Sequence, residues 1–325
     1  MSTLALKGPY WVTVRQHRWS LWAALVLAAL ASAVLVASWY WAVRADDVLA
    51  AADCTADSLA ERCFEPARVR ADAQWQARHM VEFVGLGMLV LPAVLAGYMA
   101  GPLIAREVES GTYKLAWTQS VSPARWLTAK LAVAAACCVT PVLLVTLVFQ
   151  WSWSTGPADD FPTFWFDANM YAALPGTVPV AAVLFGLATG ALTGLLVRRT
   201  VLALGAAALV TGAVTTVLTK LRPHLWPVET LTATGGLGVP ARTWTVESGR
   251  LTADGRRVTW QDCYEVVHDG QTNRCMNARG AVTDYADVHP PTHFWPLQLV
   301  ETGILLALAA LAAFAAFRVL RARLP

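Results

Sequence analysis

LWAALVLAALASAVLVASWYWAV, residues 21–43, contains no charged residue and carries aromatic rings at both ends. A helix of this length can cross about 30 Å of hydrocarbon, and aromatic rings favour the headgroup level on either side. The whole chain of 325 residues is 56% hydrophobic and 14% charged, against about 25% charged in soluble domains. We therefore expect this segment to span a membrane.

Five further apolar blocks of similar length follow the first one. Blocks four and five are separated by only Arg198, Arg199 and Thr200, and one long helix would place both arginines near the bilayer centre. Since each would cost about 3 kcal/mol there, we expect a tight hairpin instead. The five blocks cover residues 81–104, 127–151, 178–197, 201–218 and 295–320.

The first block is expected to remain as a membrane anchor. It is longer than the apolar core of a signal peptide, about 7 to 15 residues, and no clear small-residue cleavage site follows it. Ahead of it, residues 1–20 intersperse Trp11 and Trp19 with Arg15 and Arg18. This pattern predicts an amphipathic helix lying on the inner leaflet before span one.

Basic residues beside the blocks set the expected orientation. They cluster on the two terminal segments, on 105–126 and at the hairpin between blocks four and five, where only Glu107 and Glu109 are acidic. The positive-inside rule therefore places both termini in the cytoplasm of a multi-pass protein of the cell membrane. The flanking basic residues are Lys7, Arg15, Arg18, Arg106, Lys114, Arg125, Lys130, Arg198, Arg199, Arg318, Arg321 and Arg323.

Three segments then fall outside the cell: 44–79, 152–177 and 219–294. The last alternates short β-prone runs with Gly and Asp turn signals, which predicts a small β-containing lobe. The expected fold is an all-α polytopic membrane protein with six transmembrane helices, an N-terminal amphipathic helix and this extracellular lobe. Its parts are an entry segment at 1–20, spans one to five at 21–218, the lobe at 219–294, and span six with a basic tail at 295–325.

Four of the six cysteines lie in the outer segments as two close pairs, Cys54 with Cys63 and Cys263 with Cys275. On the oxidising side of a membrane these pairs predict two local disulfides, each worth up to about 3 kcal/mol. A metal site through His268 is the alternative for the second pair, although its spacing matches no common zinc pattern.

Two other residue pairs have competing interpretations. His289 and His293 lie four positions apart, but the prolines between them prevent a regular helix, so we expect a structural turn into span six. The adjacent Cys137 and Cys138 in span three are expected to be small packing residues and not a redox site.

The sequence contains no Walker A motif, so the chain is not expected to hydrolyse ATP itself. Enzyme interpretations lack a nucleophile, a base or a metal cluster. Glu82 and Glu301 lie near the outer ends of spans, where interfacial acids facing water are a plainer account than a proton relay. An ion-coupled secondary transporter would need a deep charged site and an inverted repeat, and neither is evident.

Span four carries Gly186, Gly190 and Gly194 on one helical face. Small residues at this spacing let another helix approach closely in lipid. We expect packing within one six-helix bundle, with a contact between subunits as the alternative.

Residues 102–131, PLIAREVESGTYKLAWTQSVSPARWLTAKL, join spans two and three on the cytoplasmic side. Apolar residues recur here at helical spacing, which predicts a short surface helix over 105–117 that Gly111 weakens by about 1 kcal/mol. Ser122 and Pro123 form a helix start, with the serine as cap, so span three is expected to begin there.

The acid, Gly and Thr of this run, followed by Pro, Arg and Lys leading into a span, resemble the ABC-2 type permeases of ATP-binding-cassette exporters, particularly those of high-GC actinobacteria. The resemblance implies that Arg106, Glu107, Glu109, Gly111 and Thr112 lie in or beside a coupling helix that docks on a separate ATPase subunit. It also implies a permease homodimer, or a pair of related permeases, within the lipid bilayer.

On this resemblance the chain itself binds no cofactor and no nucleic acid, while ATP and magnesium belong to the partner ATPase. A hydrophobic or amphipathic substrate would move outward. The alternative function is a membrane-bound sensor or assembly factor whose extracellular lobe binds a ligand.

Overall fold

The computed structural model describes residues 9–55, 58–118, 122–155, 176–240, 243–264 and 272–323. Within these ranges it contains six helices long and apolar enough to cross a membrane, which confirms the expected fold class. Spans one to six are formed by helices Pro9–Ala51, Glu61–Leu95, Pro123–Thr155, Val178–Val197, Thr200–Leu221 and Phe294–Arg323.

Spans one and two extend far beyond their apolar blocks. The helix of span one has 43 residues, which corresponds to about 64 Å of length. Span two begins at Glu61 and continues through a π-helical turn, Ala96–Ala100, into helix Gly101–Ser110. Most of the first outer segment is therefore a helical hairpin projecting from the membrane, which the sequence did not predict.

The predicted entry segment is not a separate helix in its described part. From Pro9 onward the chain continues into span one without a break. The tryptophans and arginines that suggested a membrane-surface helix instead lie on the first turns of one long helix.

Both predicted disulfides are present in the structure. Cys54 is bonded to Cys63 and closes the tip of the hairpin between spans one and two. Cys263 is bonded to Cys275 within the outer lobe. His268, the proposed metal ligand, lies outside the described residues.

Span four lies at the centre of the bundle, with 67% of its apolar stretch buried compared with at most 44% for any other span. A Cβ atom on Gly186 would lie 2.7 Å from the carbonyl oxygen of Pro92 in span two. A Cβ atom on Gly194 would lie 3.0 Å from the carbonyl oxygen of Gly101, and Gly190 is also buried. These contacts within one chain favour packing inside the bundle over a contact between subunits.

The outer lobe is a four-stranded antiparallel sheet between spans five and six, as expected. Its helices Trp260–Tyr264 and Thr272–Ala278 are joined by the second disulfide over a small core that includes Val258 and Met276. The strands are β1 Glu229–Ala233, β2 Trp244–Thr252, β3 Arg257–Thr259 and β4 Ala281–His289, in the spatial order β1-β4-β2-β3.

The prediction that Glu301 faces water is wrong. Glu301 in span six and Arg222 at the end of span five are each 3% exposed, and their side chains make two hydrogen bonds of 2.7 and 2.8 Å. The guanidinium of Arg222 donates to both oxygens of the Glu301 carboxylate, so each member of the buried pair has a bonded partner. Glu82 is partly exposed and contacts His79 at 3.0 Å.

The structure places the histidine pair before span six and the cysteine pair in span three. A 3-10 turn, Pro291–His293, leads into span six as predicted, yet the rings of His289 and His293 meet with their Nδ1 atoms 3.2 Å apart. Cys137 and Cys138 are free and buried, and the thiol of Cys138 contacts the sulfur of Met99.

The packing of span four generates a test. Gly186→Ala should destabilise the bundle by about 1 to 3 kcal/mol, because the added methyl group meets a backbone carbonyl that cannot move alone. Gly303→Ala in span six is the matched control, since a Cβ atom there has nothing within 4 Å. Thermal unfolding in detergent measures both, and equal effects of the two substitutions would contradict the assigned contact.

Candidate functional site

The segment that joins spans two and three differs from the predicted surface helix. Residues 105–110 do not form a separate element, because they are the end of helix Gly101–Ser110, which continues span two. Gly111 then adopts a φ of +74°, a conformation that favours glycine, and ends that helix. A short helix, Tyr113–Thr118, follows. The predicted weak point at Gly111 is confirmed as a break.

Glu107 points towards span three. Its carboxylate accepts hydrogen bonds from Nζ of Lys130 at 2.6 Å and from the indole Nε1 of Trp126 at 3.0 Å. The side chain of Lys130 is 5% exposed, and its ammonium group also lies 5.4 Å from the ring centre of Trp126. A buried ammonium needs such a partner, because removing one member of a buried pair leaves an uncompensated charge.

Glu109 points towards span five. Its Oε2 atom accepts hydrogen bonds from the backbone N–H of Thr200 at 2.9 Å and from the Thr200 hydroxyl at 2.6 Å. Thr200 is the first residue of the span five helix. The first backbone N–H groups of a helix have no partner inside it, and the helix dipole favours a negative charge there. Glu109 therefore acts as a cap supplied by another helix.

The hairpin beside Thr200 is as tight as the sequence predicted. Span four ends at Val197, and Arg198 adopts a φ of +55° while its N–H bonds to the carbonyl of Gly194. Arg199 is the extended residue that leads into span five. The positive φ of a non-glycine residue marks a close-packed reversal, which holds Thr200 next to Glu109.

Aromatic and apolar contacts fix the short helix after the break. The rings of Tyr113 and Trp117 lie 4.7 Å apart, and Trp117 stacks edge-on against Trp126 at 6.4 Å. Ile104 is fully buried in the same cluster, which also includes Leu320 from the end of span six. The segment is thus packed against spans three, four and six and is not a free loop.

Span three begins where the sequence indicated. Pro123 is the first helical residue, and the Ser122 hydroxyl accepts a hydrogen bond from the N–H of Arg125 at 3.3 Å. This capping interaction orients the first turns of span three, so that Trp126 and Lys130 face Glu107.

The five residues named from the sequence occupy three kinds of position. Glu107 and Glu109 contact spans three and five, whereas Arg106 is exposed to solvent. Gly111 forms the break, and the hydroxyls of Thr112 and Ser110 lie 2.9 Å apart across it.

Sequence reasoning missed the partners Trp126, Lys130 and Thr200. A lysine inside an apolar block is a signal that a buried carboxylate lies nearby, yet nothing local identifies which one.

Among the described residues, no group of three or more His, Cys, Asp or Glu side chains could hold a metal ion. The arrangement bonds the segment after span two to spans three and five.

Comparison with known proteins bears on this arrangement. Residues 13–222 match the model of a protein family described as ABC-2 membrane transporter related. The match includes spans one to five and the whole of the segment between spans two and three, and it ends before the outer lobe. No curated protein and no solved structure matched the chain.

The Glu107 contact can be tested by a double-mutant cycle. Glu107→Ala should lower the stability of the bundle by up to about 3 kcal/mol, because it leaves Lys130 buried without its counter-charge. Adding Lys130→Met should recover much of that loss. Thermal unfolding in detergent is the measurement.

A surface ion pair supplies the control for that cycle. Glu65 and Arg68 are bonded at 2.7 Å but are 68% and 69% exposed, so Glu65→Ala should leave the unfolding temperature nearly unchanged. If Glu107→Ala has no larger effect than Glu65→Ala, the inner contact does not stabilise the segment.

Proposed function

The chain belongs to the ABC-2 membrane transporter related family, and from this premise we propose that it is the membrane-spanning permease subunit of an ATP-binding-cassette exporter. A separate ATPase subunit would bind ATP and magnesium and supply the energy. The sequence agrees with this division of labour, because it contains no Walker A motif of its own.

One observation carries the proposal: residues 101–118 are bonded to two different spans and still present charge to solvent. Glu107 connects them to span three and Glu109 connects them to span five. Arg106 and Lys114 are exposed on the same segment. A partner that binds the exposed side would therefore act on several helices at once.

The proposed mechanism is mechanical. Closure of the ATPase would displace the short helix Tyr113–Thr118, with Gly111 as the bending point. Helix Gly101–Ser110 continues span two, so its displacement would move the inner end of that span. The two glutamates would carry the same displacement to spans three and five. The π-helical turn Ala96–Ala100 lies between the moving end and the rest of span two, and such turns are frequent at functional sites.

The basic residues support a cytoplasmic position for this segment and for both termini in the cell membrane. Two permease subunits with two ATPases is the proposed assembly. A homodimer is the default by symmetry, and a related permease is the other possible partner. A hydrophobic or amphipathic substrate moving outward fits spans with few polar residues.

A second candidate, a membrane-bound sensor with a ligand-binding lobe, is favoured by one feature. A cavity of about 350 Å³ lies on the outer lobe, within the size range of small-molecule sites. Arg250 lines it, bonded to Asp284 at 2.6 Å and stacked 5.1 Å from the ring of Trp260. Failure to form a stable complex with any ATPase in detergent would favour this function over the permease.

Reversing the exposed charges tests the docking surface. The chain should be co-expressed with its proposed ATPase subunit, and the Arg106→Glu, Lys114→Glu double variant should bind that ATPase at least about tenfold more weakly. Neither charge is buried, so the folded permease should be unaffected. Affinity in detergent and ATPase activity in proteoliposomes are the two measurements.

Arg321→Glu is the matched control for that experiment, because Arg321 is also exposed and lies near the end of the span six helix, which the proposal places in the cytoplasm. It should leave both quantities at the wild-type level. An equal loss in the control would indicate a general effect of charge, and no loss in the double variant would place the docking surface elsewhere.

A further inference from the structure

A group of polar side chains lies where the outer lobe meets spans five and six, which we call the outer junction: His289, His293, Glu229 and the carbonyl of Pro223. His289 ends β4 and is fully buried. Its Nε2 atom lies 3.1 Å from the carbonyl oxygen of Pro223, and its Nδ1 atom lies 3.2 Å from Nδ1 of His293. Nε2 of His293 lies 3.2 Å from Oε1 of Glu229 in β1.

The positions of the hydrogen atoms follow from these contacts. A carbonyl oxygen only accepts, so Nε2 of His289 must donate, and Nδ1 of a neutral His289 must then accept. Nδ1 of His293 is therefore a donor. Nε2 of His293 faces a carboxylate, which also only accepts, so this nitrogen must donate as well. All three contacts are hydrogen bonds only when the two rings together carry three protons, one more than two neutral imidazoles hold. Because His289 is fully buried, whereas His293 faces the Glu229 carboxylate, the additional proton is assigned to His293.

We infer that the outer junction is a binding site for one proton, and that this proton holds the outer lobe against the ends of spans five and six. Pro223 follows span five, Glu229 begins the lobe, and His293 precedes span six, so one hydrogen-bonded chain connects all three. This inference concerns the outer side of the membrane and does not depend on the ATPase or on the proposed transport function.

The charged groups around the histidine pair have bonded partners of their own. Arg222 and Glu301, from spans five and six, form their own buried ion pair. Asp287 in β4 is bonded to Arg257 of β3 and to Thr230 of β1. Among the described residues, His224 in the turn after span five also acts on His289, and its charge would oppose a second proton there.

Burial lowers the pKa of His289 below its usual value. The hydrogen bond to Pro223 has a smaller effect that raises this pKa, and the charge of His293 lowers it further. A histidine with a lowered pKa stabilises the folded arrangement above its ordinary pKa, and that stabilisation is lost as the pH falls through the lowered value. A second proton would place two imidazolium rings in contact at 3.2 Å. Acid should therefore detach the lobe.

Alkaline pH should weaken the junction too. Two free histidines together bind one proton at about pH 6.5, fewer above it and more below it. The closed junction binds one proton. When the junction opens, the two histidines therefore take up protons at acid pH and release protons at alkaline pH. The lobe should therefore be held most firmly near neutral to slightly acidic pH, and opening should increase on both sides of that maximum.

Hydrogen–deuterium exchange of residues 225–233 and 281–293 tests this, in detergent and across about pH 5 to 8.5, after correction for the intrinsic pH dependence of exchange. The wild type should show a minimum of exchange with a rise of several fold on each side. His289→Gln can donate to Pro223 and accept from His293 without titrating, so it should lose the acid rise and keep the alkaline one. Glu229→Gln should lose the alkaline rise and keep the acid one.

Glu229 is 57% exposed on its side chain, so the second variant tests the inference even where the buried His289→Gln fails to fold. His79→Gln, a substitution in span two, is the control and should keep the rise in exchange at both acid and alkaline pH. A flat or one-sided wild-type profile, or variants that retain both rises, would overturn the inference. Loss of the pH response on adding a metal chelator would also overturn it, because the two ring nitrogens would then share a metal and not a proton.

Discussion

The contact between Glu107 and Lys130 determines how the segment between spans two and three is held. Lys130 lies in an apolar helix and is almost completely buried, so its ammonium group requires a carboxylate within reach. Glu107 supplies it from the end of the span two helix, and Trp126 adds a hydrogen bond to the same carboxylate. The segment between the spans is therefore fixed against span three by charge as well as by apolar packing.

Similar constraints recur at both faces of the bundle. Glu109 caps the first turn of span five, and at the other end of span five Arg222 pairs with Glu301 of span six. Span four, packed closely through its glycines, lies between them. Charged groups fix the ends of these helices, and close packing fixes their middle. A displacement at one face would therefore move whole helices and would not be lost by bending within them.

The sequence predicts the features that depend on local chemistry. Span positions follow from apolar length, the hairpin at Arg198 follows from the cost of burying arginine, and the cap at Ser122 follows from residue type. Both disulfides follow from cysteines that are close in sequence. The long extensions of spans one and two were missed because a polar helix outside the membrane leaves no apolar signal.

The contacts that define the candidate site were beyond sequence reasoning for a different reason. Glu107 and Lys130 are 23 residues apart, Glu109 and Thr200 are 91 apart, and Arg222 and Glu301 are 79 apart. Each residue type signals a need for a partner, but only the packing of the spans selects which partner it receives. The same holds for His289 and His293, whose separation by two prolines suggested that they would not meet.

The most direct test of the coupling account is a cryo-electron microscopy structure of the chain bound to its ATPase in two nucleotide states. The account predicts that the ATPase contacts Arg106 and residues 111–118. It also predicts that Glu107 and Glu109 keep their bonds to Lys130 and Thr200 while the inner ends of the spans move together. An ATPase bound only to the hairpin at 198–199 or to the tail after span six, with residues 111–118 open to solvent, would contradict it.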